Sequence, residues 1–192
     1  MIRLALLLAA LALPLEAQTV RPADRERLEN FDALFGRALR DALEGGDNMA
    51  DREVLIEALA SPPVPLDPAG DWQCRTVKMG GILPLTVYGF FRCRITAEGP
   101  GVWRLEKLTG SQFTAGLIYD LGDEALYLGT GYVSGGPAMA YADLPPDDQT
   151  PVEPGQTTAD VGSFEQTGPF TARLLLPDPV LESDFDLLIL ER

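Results

Sequence analysis

The two cysteines of the chain lie close together in residues 70–95, and this pair constrains the fold more than any other sequence feature. The stretch reads GDWQCRTVKMGGILPLTVYGFFRCRI. Around both Cys74 and Cys93, apolar residues alternate with polar ones, which is typical of half-buried strands. Glycines and a proline between the two runs supply turn chemistry. The pattern therefore predicts one long β-hairpin.

The register of this hairpin follows if Cys74 faces Cys93 across an antiparallel pair. Because side chains alternate between the two faces of a strand, the cysteines then share a buried apolar face with their neighbours at even spacing. The other facing pairs on this side are Trp72 with Ile95 and Thr76 with Phe91.

The opposite face of the hairpin carries a cluster of arginines. The same register places Arg75 opposite Arg92, although facing like charges are unfavourable in a sheet, so the cluster requires an acidic neighbour. It also places Gln73 opposite Arg94. Guanidinium groups beside aromatic rings bind carboxylates well, while internal ion pairs are the alternative reading. The candidate binding residues are Arg75, Arg92, Arg94, Tyr88 and Phe90.

The first residues have the pattern of a secretory signal. Arg3 precedes an apolar run over residues 4–13, and small residues lead to Ala17. This predicts a signal peptide over residues 1–17, cleaved after Ala17, and a periplasmic or secreted protein. The apolar run is too short for a stable membrane anchor, which is the alternative, so no membrane span is expected in the mature chain.

Export decides how the cysteines are interpreted. In an oxidising compartment, a disulfide between Cys74 and Cys93 is favoured over free thiols, a redox pair or a metal site. Closing a loop of this length contributes on the order of 3 kcal/mol, mainly by restricting the unfolded chain.

The chain is strongly acidic, with a formal net charge of -14, and its only lysines are Lys78 and Lys107. Nucleic acid and anionic membranes both require neutralisation by Lys and Arg. We therefore expect neither as a partner.

Residues 22–44 and 49–60 show apolar residues at helical spacing. They predict two antiparallel helices whose apolar stripes pack on the sheet of the same protein. We accordingly divide the mature chain into a helical segment, residues 18–61, and a β domain, residues 62–192.

Short runs with strand character follow the hairpin at regular intervals, separated by turn residues and by an irregular acidic stretch over residues 135–160. Seven or eight antiparallel strands indicate a barrel or sandwich, and hence an α+β fold. The runs are residues 102–108, 112–119, 125–133, 161–166, 170–176 and 185–190.

Gly70-Asp71-Trp72 resembles the GxW entry of calycin-type barrels, which include lipocalins and small bacterial inhibitors of secreted metalloproteases. The resemblance implies an antiparallel barrel with the tryptophan plugging one end. A broader set of segments is similar to an uncharacterised exported bacterial family, domain of unknown function 4893. That family implies export and helices before a β domain, but neither an activity nor catalytic residues. The matching segments are Asp71-Trp72-Gln73-Cys74-Arg75, GFFRCR at residues 89–94, Leu108-Thr109-Gly110-Ser111-Gln112, Tyr127-Leu128-Gly129, Pro177-Asp178-Pro179, Glu182-Ser183 and Asp186.

The chemistry of catalysis is sparse in this sequence. It contains no histidine, which excludes Ser-His-Asp and Cys-His mechanisms and most zinc sites. Lys78 and Lys107 stand in charged, surface-like positions without an SxxK spacing. Paired carboxylates are the remaining route, but proline-rich loops favour their solvation. The candidates are Asp143, Asp147, Asp148, Glu182, Asp184 and Asp186.

These observations favour a non-catalytic binding or interaction protein of the bacterial cell envelope, with no metal and no cofactor. The expected partner is a protein or a small apolar or acidic ligand. A lipocalin-like carrier of an apolar ligand and a protease-inhibitor-like module are the alternatives, and a carboxylate-based hydrolase is the least favoured.

Overall fold

A computed structural model describes residues 19–192, so the predicted signal peptide lies outside the described residues. Three helices come first, followed by nine strands and one short 3₁₀ turn at Tyr141–Asp143. The helices are α1 (Pro22–Glu29), α2 (Phe31–Gly45) and α3 (Met49–Ala60). The strands are β1 (Gly70–Met79), β2 (Leu85–Val87), β3 (Phe91–Gly99), β4 (Val102–Lys107), β5 (Gln112–Asp120), β6 (Ala125–Val133), β7 (Thr158–Gln166), β8 (Thr171–Pro177) and β9 (Phe185–Glu191).

The sheet closes on itself. From β3 to β9 each strand pairs with the next one along the chain, β1 pairs with β3, and β9 returns to pair with β1. Eight antiparallel strands therefore form a closed barrel, and β2 is an additional strand on the edge of β1. This confirms the α+β fold and the antiparallel barrel.

Two element counts differ from the prediction. The first predicted helix is divided at Asn30, which ends α1 by donating its backbone N–H to the carbonyls of Glu26 and Leu28 before α2 begins. The predicted hairpin is likewise divided, because the chain turns back on β1 as the short β2 before β3 begins.

The predicted register is wrong by two residues. Trp72 faces Cys93, and Cys74 faces Phe91, so the disulfide joins the cysteines diagonally with their Cα atoms 5.8 Å apart. A shift of two residues keeps every side chain on its predicted face, because side chains alternate with a period of two. The disulfide and the inward-facing set are therefore right, whereas the facing partners are not.

The outer face explains why this register is favourable. Arg75 does not face Arg92; instead Gln73 faces Arg92 and Asp71 faces Arg94. The Nε of Arg94 lies 2.7 Å from Asp71 Oδ1, which supplies the acidic neighbour that the arginine cluster requires. The shift thus replaces a pair of facing like charges with an ion pair.

One end of the barrel interior is filled with apolar side chains. Trp72 is only 3% exposed there, and its Nε1 donates a 2.8 Å hydrogen bond to the carbonyl of Pro68. The guanidinium carbon of Arg192 lies 4.3 Å from the centroid of the Trp72 ring. The buried interior also contains Cys74, Cys93, Ile95, Leu105, Ile118, Ala125, Tyr127, Phe164, Ala172, Leu174, Leu176, Leu188 and Leu190.

The helices cover the outside of the barrel. Ala38, Ala42 and Leu55 are fully buried in a cluster with outward-facing residues of β1, β8 and β9. The rings of Phe31 and Phe35 pack against Phe185, with centroids 5.6 and 5.2 Å apart. The predicted packing of the helical stripes on the protein's own sheet is confirmed.

A buried ion network joins α1 to residues 141–149. Asp24 is fully buried and accepts hydrogen bonds from Arg21, Arg27, Tyr141 and Gln149. Burial alone would raise the pKa of Asp24, but the hydrogen bond from Arg21 and the charge of Arg27 outweigh it and hold that pKa below its ordinary value.

We predict that Asp24→Ala lowers the free energy of unfolding by about 3–5 kcal/mol, because it leaves two buried guanidinium groups without their counterion. Urea denaturation at pH 7 measures this change. Folding lowers the pKa of Asp24. Its contribution to the free energy of unfolding is therefore complete above the ordinary pKa and is lost as the pH falls through the folded-state value. The exposed Asp41 of α2 provides the matched control, and Asp41→Ala should change stability by less than about 0.5 kcal/mol. Equal losses in the two variants would contradict a structural role for the network.

Candidate functional site

The barrel interior is polar at the end opposite Trp72. Along β1 the inward-facing side chains change from Trp72 and Cys74 to Thr76 and Lys78, and the other strands change in the same way. A cavity of about 100 Å³ lies at this end. Its polar lining residues are Thr76, Lys78, Lys107, Gln112, Thr114, Gln156, Thr158 and Asp160 with Asp186.

Both lysines of the chain face into the barrel. Lys78 is 8% exposed and Lys107 is 7% exposed, so the prediction that they occupy surface positions is wrong. The alternation of side chains along β1 indicates that Lys78 faces inward, because it lies four residues after Cys74 and therefore on the same face. Residue type alone points to the surface at both positions, because lysine is rarely buried without a partner.

Lys78 is paired with a carboxylate at the rim of the cavity. Its Nζ lies 2.6 Å from Oε2 of Glu182, and the same oxygen accepts a 3.2 Å hydrogen bond from Nε2 of Gln112. Burial opposes the charge of Lys78, but the negative charges of Asp186 and Glu182 outweigh it and raise the lysine's pKa. Lys78 is therefore a fully charged ammonium inside the barrel.

Lys107 is held in a different way. Its Nζ donates a 2.7 Å hydrogen bond to the backbone carbonyl of Gln112 and lies 4.2 Å from the centroid of the Phe91 ring. Within residues 19–192, no carboxylate oxygen lies within 4 Å of this Nζ. Burial, and next the charge of Lys78, lower the pKa of Lys107. The direct contacts of this ammonium group are thus neutral, and the charges of Asp186 and Asp160 act on it from beyond ion-pair distance.

Two carboxylates share the cavity with the lysines. Asp186 faces Lys78 in the β1–β9 register, and its Oδ1 accepts a 2.6 Å hydrogen bond from Ser183. Burial raises the pKa of Asp186 to about 6, against the opposing charge of Lys78. Burial likewise raises the pKa of Asp160, against a hydrogen bond from Thr114.

Gly131 makes room for Asp160. A Cβ atom at residue 131 would lie only 2.9 Å from both carboxylate oxygens of Asp160. Gly131 therefore lies inside β6 because the carboxyl group of Asp160 occupies the space that a side chain would need.

Apolar side chains complete the wall of the cavity. Leu176 and Leu188 face the interior and line the cavity. The rings of Phe113 and Tyr132 stack on each other with centroids 5.4 Å apart on the outer side of β5 and β6. Pro179, Val180 and Leu181, from the connection between β8 and β9, line it from the loop side. The cavity thus offers two ammonium groups, two carboxylates and an apolar wall.

The predicted arginine site lies elsewhere, on the outer surface. There the guanidinium carbon of Arg75 lies 4.8 Å from the centroid of the Phe90 ring, and its Nε donates to the carbonyl of Tyr88. Arg94 belongs to the ion pair with Asp71, while Arg92 is exposed across from Gln73. The structure brings Arg75, Tyr88 and Phe90 together, whereas Arg94 is paired with Asp71 farther along β3.

The carboxylates considered as catalytic candidates separate into two groups. Glu182 and Asp186 contact the polar end of the barrel. Asp184, in the connection between β8 and β9, lies against Gly80 at the end of β1. Asp143, Asp147 and Asp148 are exposed in the segment that follows β6. Asp160, Gln112 and both lysines belong to this site although none of them was predicted as a site residue.

Two negative observations apply to residues 19–192. In this part of the chain, no group of three or more His, Cys, Asp or Glu side chains is placed to hold a metal ion. None of its helices combines the length and the apolar composition needed to cross a membrane.

We predict that the carboxyl carbon of Asp186 titrates with a midpoint near 6 in ¹³C NMR. Lys78→Met should move the midpoint upward, because it removes a positive charge that favours the carboxylate. The folded state binds this proton more tightly than the unfolded chain does. The contribution to stability is therefore complete below the ordinary pKa of about 4 and is lost as the pH rises through the folded-state value.

Arg104→Met provides the control for this titration, since Arg104 pairs with Glu98 on the outer surface. It should leave the midpoint of Asp186 unchanged. A wild-type midpoint near 4 would contradict the burial of this carboxyl group.

Comparison with known proteins was made by family, by sequence and by structure. No curated protein and no solved structure matches the chain. The model of one family, described as "Domain of unknown function (DUF4893)", matches residues 17–190 and so covers the three helices and nearly the whole barrel. The chain therefore belongs to the DUF4893 family.

Proposed function

We propose that this protein is an exported, non-catalytic binding protein of the cell envelope, and that the polar end of its barrel binds a small molecule through an anionic group. One observation carries the proposal. In a chain with a net charge of -14, both lysines face the cavity, and Lys107 has no carboxylate within ion-pair distance in the described residues.

The electrostatics favour an anion at Lys107. A buried ammonium group loses hydration, and a partner of opposite charge offsets that loss only when it approaches closely. Lys107 receives a carbonyl and an aromatic face instead of a carboxylate. A carboxylate or phosphate oxygen entering the cavity would supply the missing partner through a charge-assisted hydrogen bond.

The volume of the cavity limits the ligand. Sites for drug-sized ligands measure roughly 300–1,000 Å³, whereas this cavity measures about 100 Å³. An apolar cavity of about 150 Å³ accommodates benzene, so this open cavity encloses roughly four or five non-hydrogen atoms and leaves the rest of a slightly longer ligand at its opening. These dimensions favour a small anionic head group with a short apolar part over the bulky apolar ligand of a lipocalin-like carrier.

The disulfide supports the proposed location. Structural disulfides persist in oxidising compartments, and Cys74 and Cys93 are bonded in the structure. Together with the signal-like pattern of residues 1–17, this favours the periplasm or the exterior of the cell.

The arginine surface remains a second candidate, as a contact for an acidic partner protein. Exposed apolar side chains accompany it, since Tyr88 and Phe90 are joined by Ile82 and Leu83 in the preceding turn. Aromatic residues and arginine are enriched where proteins bind one another.

We predict that wild-type protein binds butyrate and that Lys107→Met weakens this binding at least tenfold. Titrations followed by ¹⁵N–¹H NMR at constant ionic strength measure both affinities, with butyramide as the uncharged analogue. Arg104→Met should bind like the wild type, since its guanidinium lies outside the barrel. If the wild type binds butyrate and butyramide equally, recognition of an anion is wrong.

For the arginine surface, we predict that Arg92→Ala reduces capture of a partner protein from envelope extract while the thermal midpoint of unfolding stays unchanged. The exposed side chain of Arg92 makes this separation of binding from stability possible. Arg40→Ala, on an exposed face of α2, is the control. A fall in stability without any loss of captured protein would assign Arg92 a structural role.

A further inference from the structure

We infer that the carboxylate of Glu182 occupies Lys78 and Gln112, two donors that the ligand's anionic group uses together with Lys107, and that monocarboxylates bind by displacing it. The inference rests on the proposed function. It names the ligand class, monocarboxylates, and it describes Glu182 as a latch, meaning a side chain of the protein that blocks its own binding site until a ligand displaces it.

The geometry around Glu182 is that of a carboxylate bound by two donors. Its Oε2 lies 2.6 Å from Nζ of Lys78 and accepts a 3.2 Å hydrogen bond from Nε2 of Gln112. Both donor side chains line the cavity, whereas Glu182 itself does not. The side chain of Glu182 is 43% exposed, so its carboxylate reaches the donors from the solvent side.

The loop that carries Glu182 has a backbone that favours its release. Glu182 has a φ of 74° and Asp178 a φ of 44°, both in the left-handed region that non-glycine residues rarely adopt. Residues in this region are strained and persist where the surrounding contacts impose the conformation. The bonds from Lys78 and Gln112 are among the contacts that hold Glu182, so a competitor for these donors also removes a restraint on the loop.

The same loop forms part of the cavity wall through Pro179, Val180 and Leu181. Displacement of the Glu182 carboxylate would therefore loosen the wall at the point where a ligand enters. The connection between β8 and β9 therefore contains both the latch residue and the part of the wall at the entrance.

Charge balance selects the ligand class. Lys78 and Lys107 supply two positive charges, which Glu182 and Asp186 balance, while burial raises the pKa of Asp160. A ligand monocarboxylate that replaces Glu182 leaves this balance unchanged. A doubly charged phosphate would add one further negative charge close to Asp186, where like charges repel.

The test compares the affinities of wild type, Glu182→Gln and Glu191→Gln for butyrate and for inorganic phosphate, by NMR titration at constant pH and ionic strength. Glu191 is exposed at the Trp72 end of the barrel and is the matched control. We expect Glu182→Gln to bind butyrate about tenfold more tightly than wild type, and Glu191→Gln to bind it equally. In the wild type, the ¹³Cδ signal of Glu182 should shift as butyrate is added.

Each outcome separates the two proposals. If wild type binds butyrate through Lys107 but Glu182→Gln gains nothing and the Glu182 signal does not move, the latch is wrong and the binding site stands. If Glu182→Gln gains more affinity for phosphate than for butyrate, the ligand class is wrong. If no variant binds either anion, the proposed function fails and the latch fails with it. Should Glu182→Gln not fold, the wild-type Glu182 signal alone decides for or against displacement.

Discussion

The constraint on which the rest depends is closure of the sheet by the pairing of β1 with β9. A closed barrel has only one interior, and every second residue of eight strands must share it. Apolar side chains fill that space around Trp72, so charged residues at inward positions are confined to the other end. There, burial separates Lys78, Lys107, Asp160 and Asp186 from bulk water and perturbs the pKa of each. The unusual chemistry of the site is thus a consequence of the closure of the fold.

Two clusters of buried charge in this molecule differ in how completely they are satisfied. In the network around Asp24, the carboxylate has four donor partners and each arginine also donates to backbone carbonyls. Such a cluster fixes one arrangement of chain segments. In the barrel, by contrast, Lys107 relies on a carbonyl and a ring, and Glu182 is held by a loop with a strained backbone. The first cluster has the properties of a structural clamp, and the second has those of a site that can change partners.

Features that depend on local pattern were predicted from the sequence, whereas features that depend on long-range strand pairing were not. The period of two placed Trp72 and Cys74 inside, and the spacing of turn residues gave the barrel strands, because both are local properties. The register failed by two residues because a diagonal disulfide and a directly facing one satisfy the same alternation. The interior site escaped prediction because β1, β4, β7 and β9 each contribute one charged residue to it, and only closure brings these strands together.

Barrel closure also sets an order of events during folding. Cys74 and Cys93 lie on neighbouring strands and are separated by 19 residues, whereas the partners of β1 in β9 follow more than a hundred residues later. Short loops close faster than long ones, so the sulfur atoms can meet while one side of β1 is still unpaired. Until β9 arrives, residues 73–79 present open hydrogen-bonding groups to any other extended chain nearby. A chain with the disulfide formed and the barrel still open thus exposes an unpaired strand edge, and the speed of the last pairing determines how long that edge stays exposed.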